Sequence, residues 1–134
     1  MKFDNATKSA LALEIITKIA AGTTASPKLQ IYDGAVPVNI GDAIAGTLLA
    51  ELEISNTVGT ESNGVITFDA ISDDTSANAS GDPTWARILD RDGVERLQMT
   101  ASAQGGSGEV QVNPGTIASG ETVTASLGVI RIGG

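Results

Sequence analysis

Apolar residues change their period once along this chain, near Pro27. Before it, Leu11, Ile15 and Ile19 recur every four residues, with Ala12, Ile16 and Ala20 widening the stripe. That spacing predicts one amphipathic helix over residues 5–22. Asn5 or Thr7 is placed to cap its start, and Gly22 suits the left-handed position after its last turn. Residues 23–27 then read as a linker. After Pro27 the period falls to two. Leu29 and Ile31 alternate in a short strand that stops at Asp33-Gly34. Leu48, Ala50, Leu52 and Ile54 alternate with Leu49, Glu51 and Glu53, a strand with one wet face.

Turn chemistry separates the remaining strands. The Asn63-Gly64 pair precedes a strand over 65–71, and Arg91-Asp92-Gly93 joins strands over 84–90 and 94–100 as a hairpin. Val110 and Val112 begin a strand that ends at Asn113-Pro114-Gly115, and residues 122–132 form the last one. Residues 35–46, with Pro37, Gly41 and Gly46, read as a long loop. Residues 72–83 read as an exposed loop, and 101–108 as a flexible Gly/Ser segment. Seven or eight short strands behind a single helix predict a mainly β fold. The expected form is an antiparallel β-sandwich or jelly roll with one N-terminal α-helix. The expected organisation is an amphipathic helix and linker over 1–27 and a β-sandwich over 28–134.

Composition supports a packed core of unusual kind. Apolar residues make up 41% of the 134 positions, yet Phe3, Tyr32, Phe68 and Trp85 are the whole aromatic complement. Ile, Leu, Val and Ala must therefore fill the interior. No stretch approaches the roughly 20 apolar residues of a membrane span. Segment 10–21 is broken by Glu14 and Lys18, so the chain is read as unprocessed.

The net charge of −8 opposes binding to phosphate backbones, which needs clustered bases. Its distribution says more. All four lysines lie in the first 28 residues, residues 29–86 hold nine acids and no base, and all four arginines come later. A basic N-terminal segment meeting something acidic, with the middle facing water, is the expectation from that asymmetry.

Histidine and cysteine are both absent. That removes Ser-His-Asp and Cys-His hydrolases, histidine or thiolate zinc sites and redox dithiols. Among the remaining groups, Asp90-Arg91-Asp92-Gly93 resembles the opening of a calcium loop, but the twelfth position is Ala101, where a glutamate is needed. Asp69, Asp73, Asp74 and Asp82 form the densest acidic group, inside a Ser/Thr/Asn-rich loop that reads as solvated. Gly105-Gly106-Ser107-Gly108 lacks the Lys-Ser/Thr partner of a phosphate loop. No enzymatic arrangement emerges, and no cofactor or metal is expected. Trp85, Arg87 and Leu89 share one strand face, and Trp and Arg are enriched at contact hot spots, although a core role suits the lone tryptophan better. Tyr32 lies on the face opposite Leu29 and Ile31, as an exposed contact or a plug at a sheet edge.

From Lys28 onward the order of motifs resembles a group of small proteins of tailed bacteriophages and prophages. The matching stretches are Leu29-Gln-Ile-Tyr-Asp-Gly34, Gly46-Thr-Leu-Leu-Ala50, Gly64-Val-Ile-Thr-Phe68 and Trp85-Ala-Arg87. The acidic loop between the last two and the closing Ile117-Ala-Ser-Gly-Glu-Thr-Val123 also fit. The resemblance implies a non-enzymatic virion protein, a decoration or cement protein made in the bacterial cytoplasm and carried on the capsid surface. Its implied partners are the major capsid protein and copies of itself, as a dimer or trimer. Nucleic acid, membrane and small-molecule substrates are not expected. The helix lies outside the matching part, so its role in contact rests on charge and amphipathicity. The residues expected to make contact are Lys2, Phe3, Lys8, Lys18, Tyr32, Trp85 and Arg87. Two other expectations stand beside this one: a structural sandwich of the tail, baseplate or fibre, and a calcium- or carbohydrate-binding adhesion module using residues 69–82.

Overall fold

The computed structural model describes residues 1–132. Helix α1 spans Asn5–Ile19, and its cap is Asp4 rather than Asn5 or Thr7. The Asp4 carboxylate accepts from the Thr7 amide at 2.7 Å, satisfying one of the donors that a helix start leaves open. That bond, made to the charged form, holds the Asp4 carboxyl below its ordinary value. The buried stripe of α1 is Ala12, Ile16 and Ile19, while Leu11 is left 42% exposed. The expected stripe is thus rotated toward its second row, because the helix packs on the β elements along that line.

Among the described residues nine strands follow: β1 (Lys28–Tyr32), β2 (Leu48–Glu53), β3 (Gly59–Ser62), β4 (Val65–Phe68), β5 (Trp85–Leu89), β6 (Glu95–Ala103), β7 (Val110–Asn113), β8 (Thr124–Leu127) and β9 (Ile130–Arg131). They form a six-stranded sheet in the order β2-β1-β5-β6-β7-β8 and a three-stranded sheet in the order β3-β4-β9. The fold is mainly β with an N-terminal helix, as expected. The expectation of a purely antiparallel arrangement is corrected at β6 and β7, which pair in parallel. A parallel pair ordinarily needs a long crossover. Here residues 104–109 make it, because glycine lets the backbone fold back on itself: a Cβ at Gly108 would lie 2.5 Å from the Ser102 nitrogen. The Gly/Ser segment is therefore a packed crossover, held by Gly108 N–H donating to Ser102 Oγ at 2.9 Å.

Other boundaries also move. Strand β3, unrecognised in the sequence, pairs with β4 through the Asn63-Gly64 turn. The expected last strand over 122–132 is two strands, β8 in the large sheet and β9 in the small one. Residues 72–83 are largely exposed, as expected, but they are tied down at several points. The Glu51 amide on the β2 edge donates to Asp74 Oδ2, and the Asn78 amide donates to the Leu49 carbonyl. Asp74 and Gly81 in turn bridge to Val123 and Ile117, in the chain leading into β8. This strap covers the β2 edge and ties it to the opposite end of the sheet, so the sheet curls.

One core lies inside the curl. Leu29, Ile31, Leu52, Ala86 and Ile88 from the inner face of the large sheet join Val58, Ile66 and the α1 residues Ala12, Ile16 and Ile19. Helix α1 packs against β3 and β4 of its own chain. A second anchor holds it at the far end. The Arg91 amide donates to the Ala21 carbonyl, and the Ala25 amide donates to the Arg91 carbonyl. Residues 21–25 are thus tied to the β5–β6 turn.

Candidate partner-binding surfaces

Alternation sends Gln30 and Tyr32 of β1 to the outer face of the large sheet, opposite Leu29 and Ile31. Register then sets Glu51, Gln30, Arg87 and Gln98 in one row across β2, β1, β5 and β6. Gln30 is 7% exposed and is the centre of this row. Its Oε1 accepts from Tyr32 Oη at 3.0 Å and from Arg87 Nε at 2.8 Å, while its Nε2 donates to Glu51 at 2.6 Å. The Tyr32 and Trp85 rings stack with centroids 4.6 Å apart and planes 13° apart, and the Arg87 guanidinium carbon sits 5.4 Å from the Tyr32 ring centre.

These facts correct the contact roles expected of Tyr32 and Trp85, while the buried role that suited the lone tryptophan better is the one it has. Tyr32 is 6% exposed and Trp85 is 1% exposed, so neither presents a ring to a partner. Tyr32 is no edge plug either, since β1 is paired on both sides. Arg87 is spent inside the same network, with Glu95 Oε2 at 3.8 Å from its guanidinium. The three residues form a platform beneath residues 33–47.

That segment is a pinned loop with an apolar outer surface. Its ends are joined where the Thr47 amide donates to Asp33 Oδ1 at 2.6 Å and the Asp33 amide donates to the Thr47 carbonyl. Trp85 Nε1 donates to the Asp33 carbonyl, and Thr84 Oγ1 donates to the Gly34 carbonyl. At the tip, Asp42 Oδ2 accepts from the Asn39 amide and side chain, and the Gly41 amide reaches Glu95 at 3.1 Å. Held this way, Val36 is 50%, Val38 92% and Ile40 53% exposed. Between the loop and the sheet lies a groove of about 460 Å³, lined by Val36, Val38, Trp85, Thr100 and Glu109 among others. The signal for this surface is present in the sequence as β-branched residues at 36, 38 and 40. The surrounding Pro37, Gly41 and Gly46 masked it as an ordinary loop.

The N-terminal end is the second apolar surface. Met1, Phe3 (39%), Leu11 and Leu13 (55%) are exposed, and Lys2 lies among them. Lys18 forms an exposed ion pair with Glu14 at 3.8 Å. The Lys8 stem lies over the β3–β4 turn, where a Cβ on Gly64 would come within 2.6 Å of it. The basic residues are therefore not alike: Lys2 stands with Phe3 at the exposed end, whereas Lys8 packs on its own chain.

Three of the four acidic groups expected to lie together have structural partners. Asp69 accepts from Thr57 Oγ1, Asp74 from the Glu51 and Ser76 amides, and Asp82 from Thr116 Oγ1. Among the described residues, no three acidic groups come together as a cluster for a cation. The calcium-like Asp90-Arg91-Asp92-Gly93 is the expected hairpin turn. Burial alone would raise the Asp90 carboxyl, but the Val94 and Asp92 amides and Arg96 outweigh it and hold the group below its ordinary value. Asp92 is held low by the Thr23 amide first, then by the Thr24 hydroxyl and amide. No protein family, curated protein or solved structure was found to match this chain.

Proposed function

We propose that this is a non-enzymatic structural protein of a tailed-phage particle, a decoration or cement subunit bound to the major capsid protein on the head surface. The observation that carries the reading is the pinned loop 33–47, which holds Val36, Val38 and Ile40 in water on a rigid platform. Isolated exposed apolar residues are ordinary, but several in one ordered segment mark an interaction site. The loop has low conformational freedom to lose on docking, because both ends and its tip are already hydrogen-bonded. The resemblance of residues 28–132 to phage proteins supplies the identity of the particle.

In this reading, the six-stranded sheet curled against the three-stranded sheet serves as a distorted sandwich, a rigid block with an acidic outer surface. Docking uses the exposed apolar surfaces, and the acidic middle of the chain faces solvent. Imaging of the phage particle by cryo-electron microscopy, with copy number from quantitative mass spectrometry, tests it. Hundreds of copies at fixed head positions are expected. A few to some tens of copies confined to the tail would instead assign the protein to tail, baseplate or fibre. Absence from the particle would end the virion reading.

A further inference from the structure

We propose that the chain forms a two-fold dimer by pairing strand β8 with β8 of a second copy, which continues the large sheet from one molecule into the next. That sheet has two edges, β2 and β8. The strap covers β2 but meets the other edge only at Val123, whose amide and carbonyl both bond to Asp74. Main-chain groups alternate in direction along a strand, so those of Ala125 and Leu127 point the same way as those of Val123, outward from the edge. The opposite phase is fixed independently. The Gly128 amide donates back to the Glu109 carbonyl, just before β7, and the register continues through Ser126 on Gln111 and Thr124 on Asn113. Two amides and two carbonyls, those of Ala125 and Leu127, therefore face outward with no partner among the described residues.

An extended backbone supplies donors and acceptors at that repeat, and a second β8 supplies them in one register that uses all four groups on both copies. Ala125 lies opposite Leu127 of the partner, Leu127 lies opposite its Ala125, and the two Ser126 side chains face each other at the axis. Cross-strand pairing with the buried Val110 and Val112 sets Leu127 and Ala125 on the inner face of the sheet, where each is only half-buried. Leu127 of the partner then enters a cleft of about 200 Å³ lined by Phe68, Ile71 and Ala125 among others. The edge lacks the usual guards against self-pairing, since residues 122–130 contain no charge and no proline. Asp74 at one end and the departure toward β9 at the other limit the contact to a strand of four residues, which makes a weak dimer. The charged residues at the edge and its flanking clefts are Asp69, Asp74 and Glu109, each already accepting hydrogen bonds within its own chain. They carry one sign on both copies and oppose the contact, so salt should strengthen it. Nothing in this inference depends on the protein being part of a virion.

Sedimentation velocity on the full chain, over a range of protein and salt concentrations, measures the association, and hydrogen exchange locates it. A monomer–dimer equilibrium that tightens with salt is expected. The Ala125 and Leu127 amides should exchange slowly only in the dimer, whereas the Ser126 amide, bonded to β7, should be protected at every concentration. Slow exchange at Ala125 and Leu127 in the dilute monomer would mean a partner within the chain and would overturn the proposal. Ala125→Pro removes an outward amide while leaving the β7 ladder its bonds, and should weaken the dimer about 10-fold or more. Ser126 is exposed, so a charge there leaves the fold intact. Ser126→Lys or Ser126→Glu alone sets like charges against each other at the axis and should weaken association about 2- to 5-fold. Mixing the two should restore it as a heterodimer. A wild-type chain that stays monomeric throughout, a dimer indifferent to these variants, or a mixture no tighter than either variant alone would each rule out β8 as the interface.

Discussion

The Asp92 carboxylate fills the space into which a side chain at Gly22 would project: a Cβ there would lie 2.5 Å from Asp92 Cγ. One oxygen of that carboxylate accepts from the Thr23 amide at 3.1 Å, the Thr24 amide at 3.2 Å and the Thr24 hydroxyl at 2.9 Å. The turn that the sequence offers as a calcium-like motif is therefore the anchor of the helix linker. Gly22 also has φ of +104°, a conformation that favours glycine. Gly22→Ala should destabilise the fold by about 1–3 kcal/mol, read by urea unfolding. Gly93→Ala, where φ is +83° but no atom lies within 4 Å of a Cβ, should cost only about 1 kcal/mol. Equal losses would refute the close-contact account.

Asp90 gives the fold an acid limit. Its carboxyl lies below the ordinary value of 3.8, so between the folded and unfolded values the unfolded chain binds the extra proton. Its stabilisation is complete above about pH 4 and drains as pH falls through the folded value. Asp4 and Asp92 shift in the same direction and steepen the same limb. Asp90→Asn should flatten the acid side of a stability-against-pH profile. It should also cost about 1–3 kcal/mol at neutral pH, since the Arg96 pair and the charged acceptor for two amides are both lost. A variant profile parallel to wild type across the acid range would contradict this assignment.

Burial separates the two residue classes of the outer face. Trp85 is enclosed and stacked on Tyr32, whereas Val38, in the loop above, is open to water. Trp85→Ala should cost about 3–5 kcal/mol in thermal or chemical unfolding. Val38→Ser should stay within about 0.5 kcal/mol of wild type. Tryptophan fluorescence of the native chain should be blue-shifted relative to the unfolded chain, and a native spectrum matching the unfolded one would place Trp85 outside.

The strap over the β2 edge makes a local prediction. Asp74→Ala removes the acceptor for the Glu51 amide, which lies 2.9 Å from Asp74 Oδ2. Hydrogen exchange at Glu51 should accelerate while amides at the β1–β5 pairing keep their protection. Uniform acceleration across the sheet would mean that the strap is part of the global unfolding unit instead.

The glycine crossover makes another. A methyl group at Gly108 has no room beside the Ser102 nitrogen, so Gly108→Ala should destabilise by about 1–3 kcal/mol. A neutral effect would show that the parallel β6–β7 pair does not depend on this close approach.

What could be read from residue order was each segment's own period and its turns. The four-residue recurrence around Ile15, the alternation of Leu29 and Ile31 and of Leu52 and Ile54, the Asn63-Gly64 turn and the Asp92-Gly93 hairpin all carry their geometry locally. Side-chain direction within a helix or strand follows from backbone period alone, so these elements were legible. Tertiary structure decided everything that depends on which segments meet. It turned Leu11 outward and Ala12 inward, because the rotation of α1 is set by β3 and β4. It made β6 and β7 parallel, split the last strand between two sheets and buried Tyr32 against Trp85. It also joined Thr24 to Asp92 across 68 residues of chain. Val36, Val38 and Ile40 read alike whether packed or open; only the arrangement of sheet and loop around them left these three side chains in water.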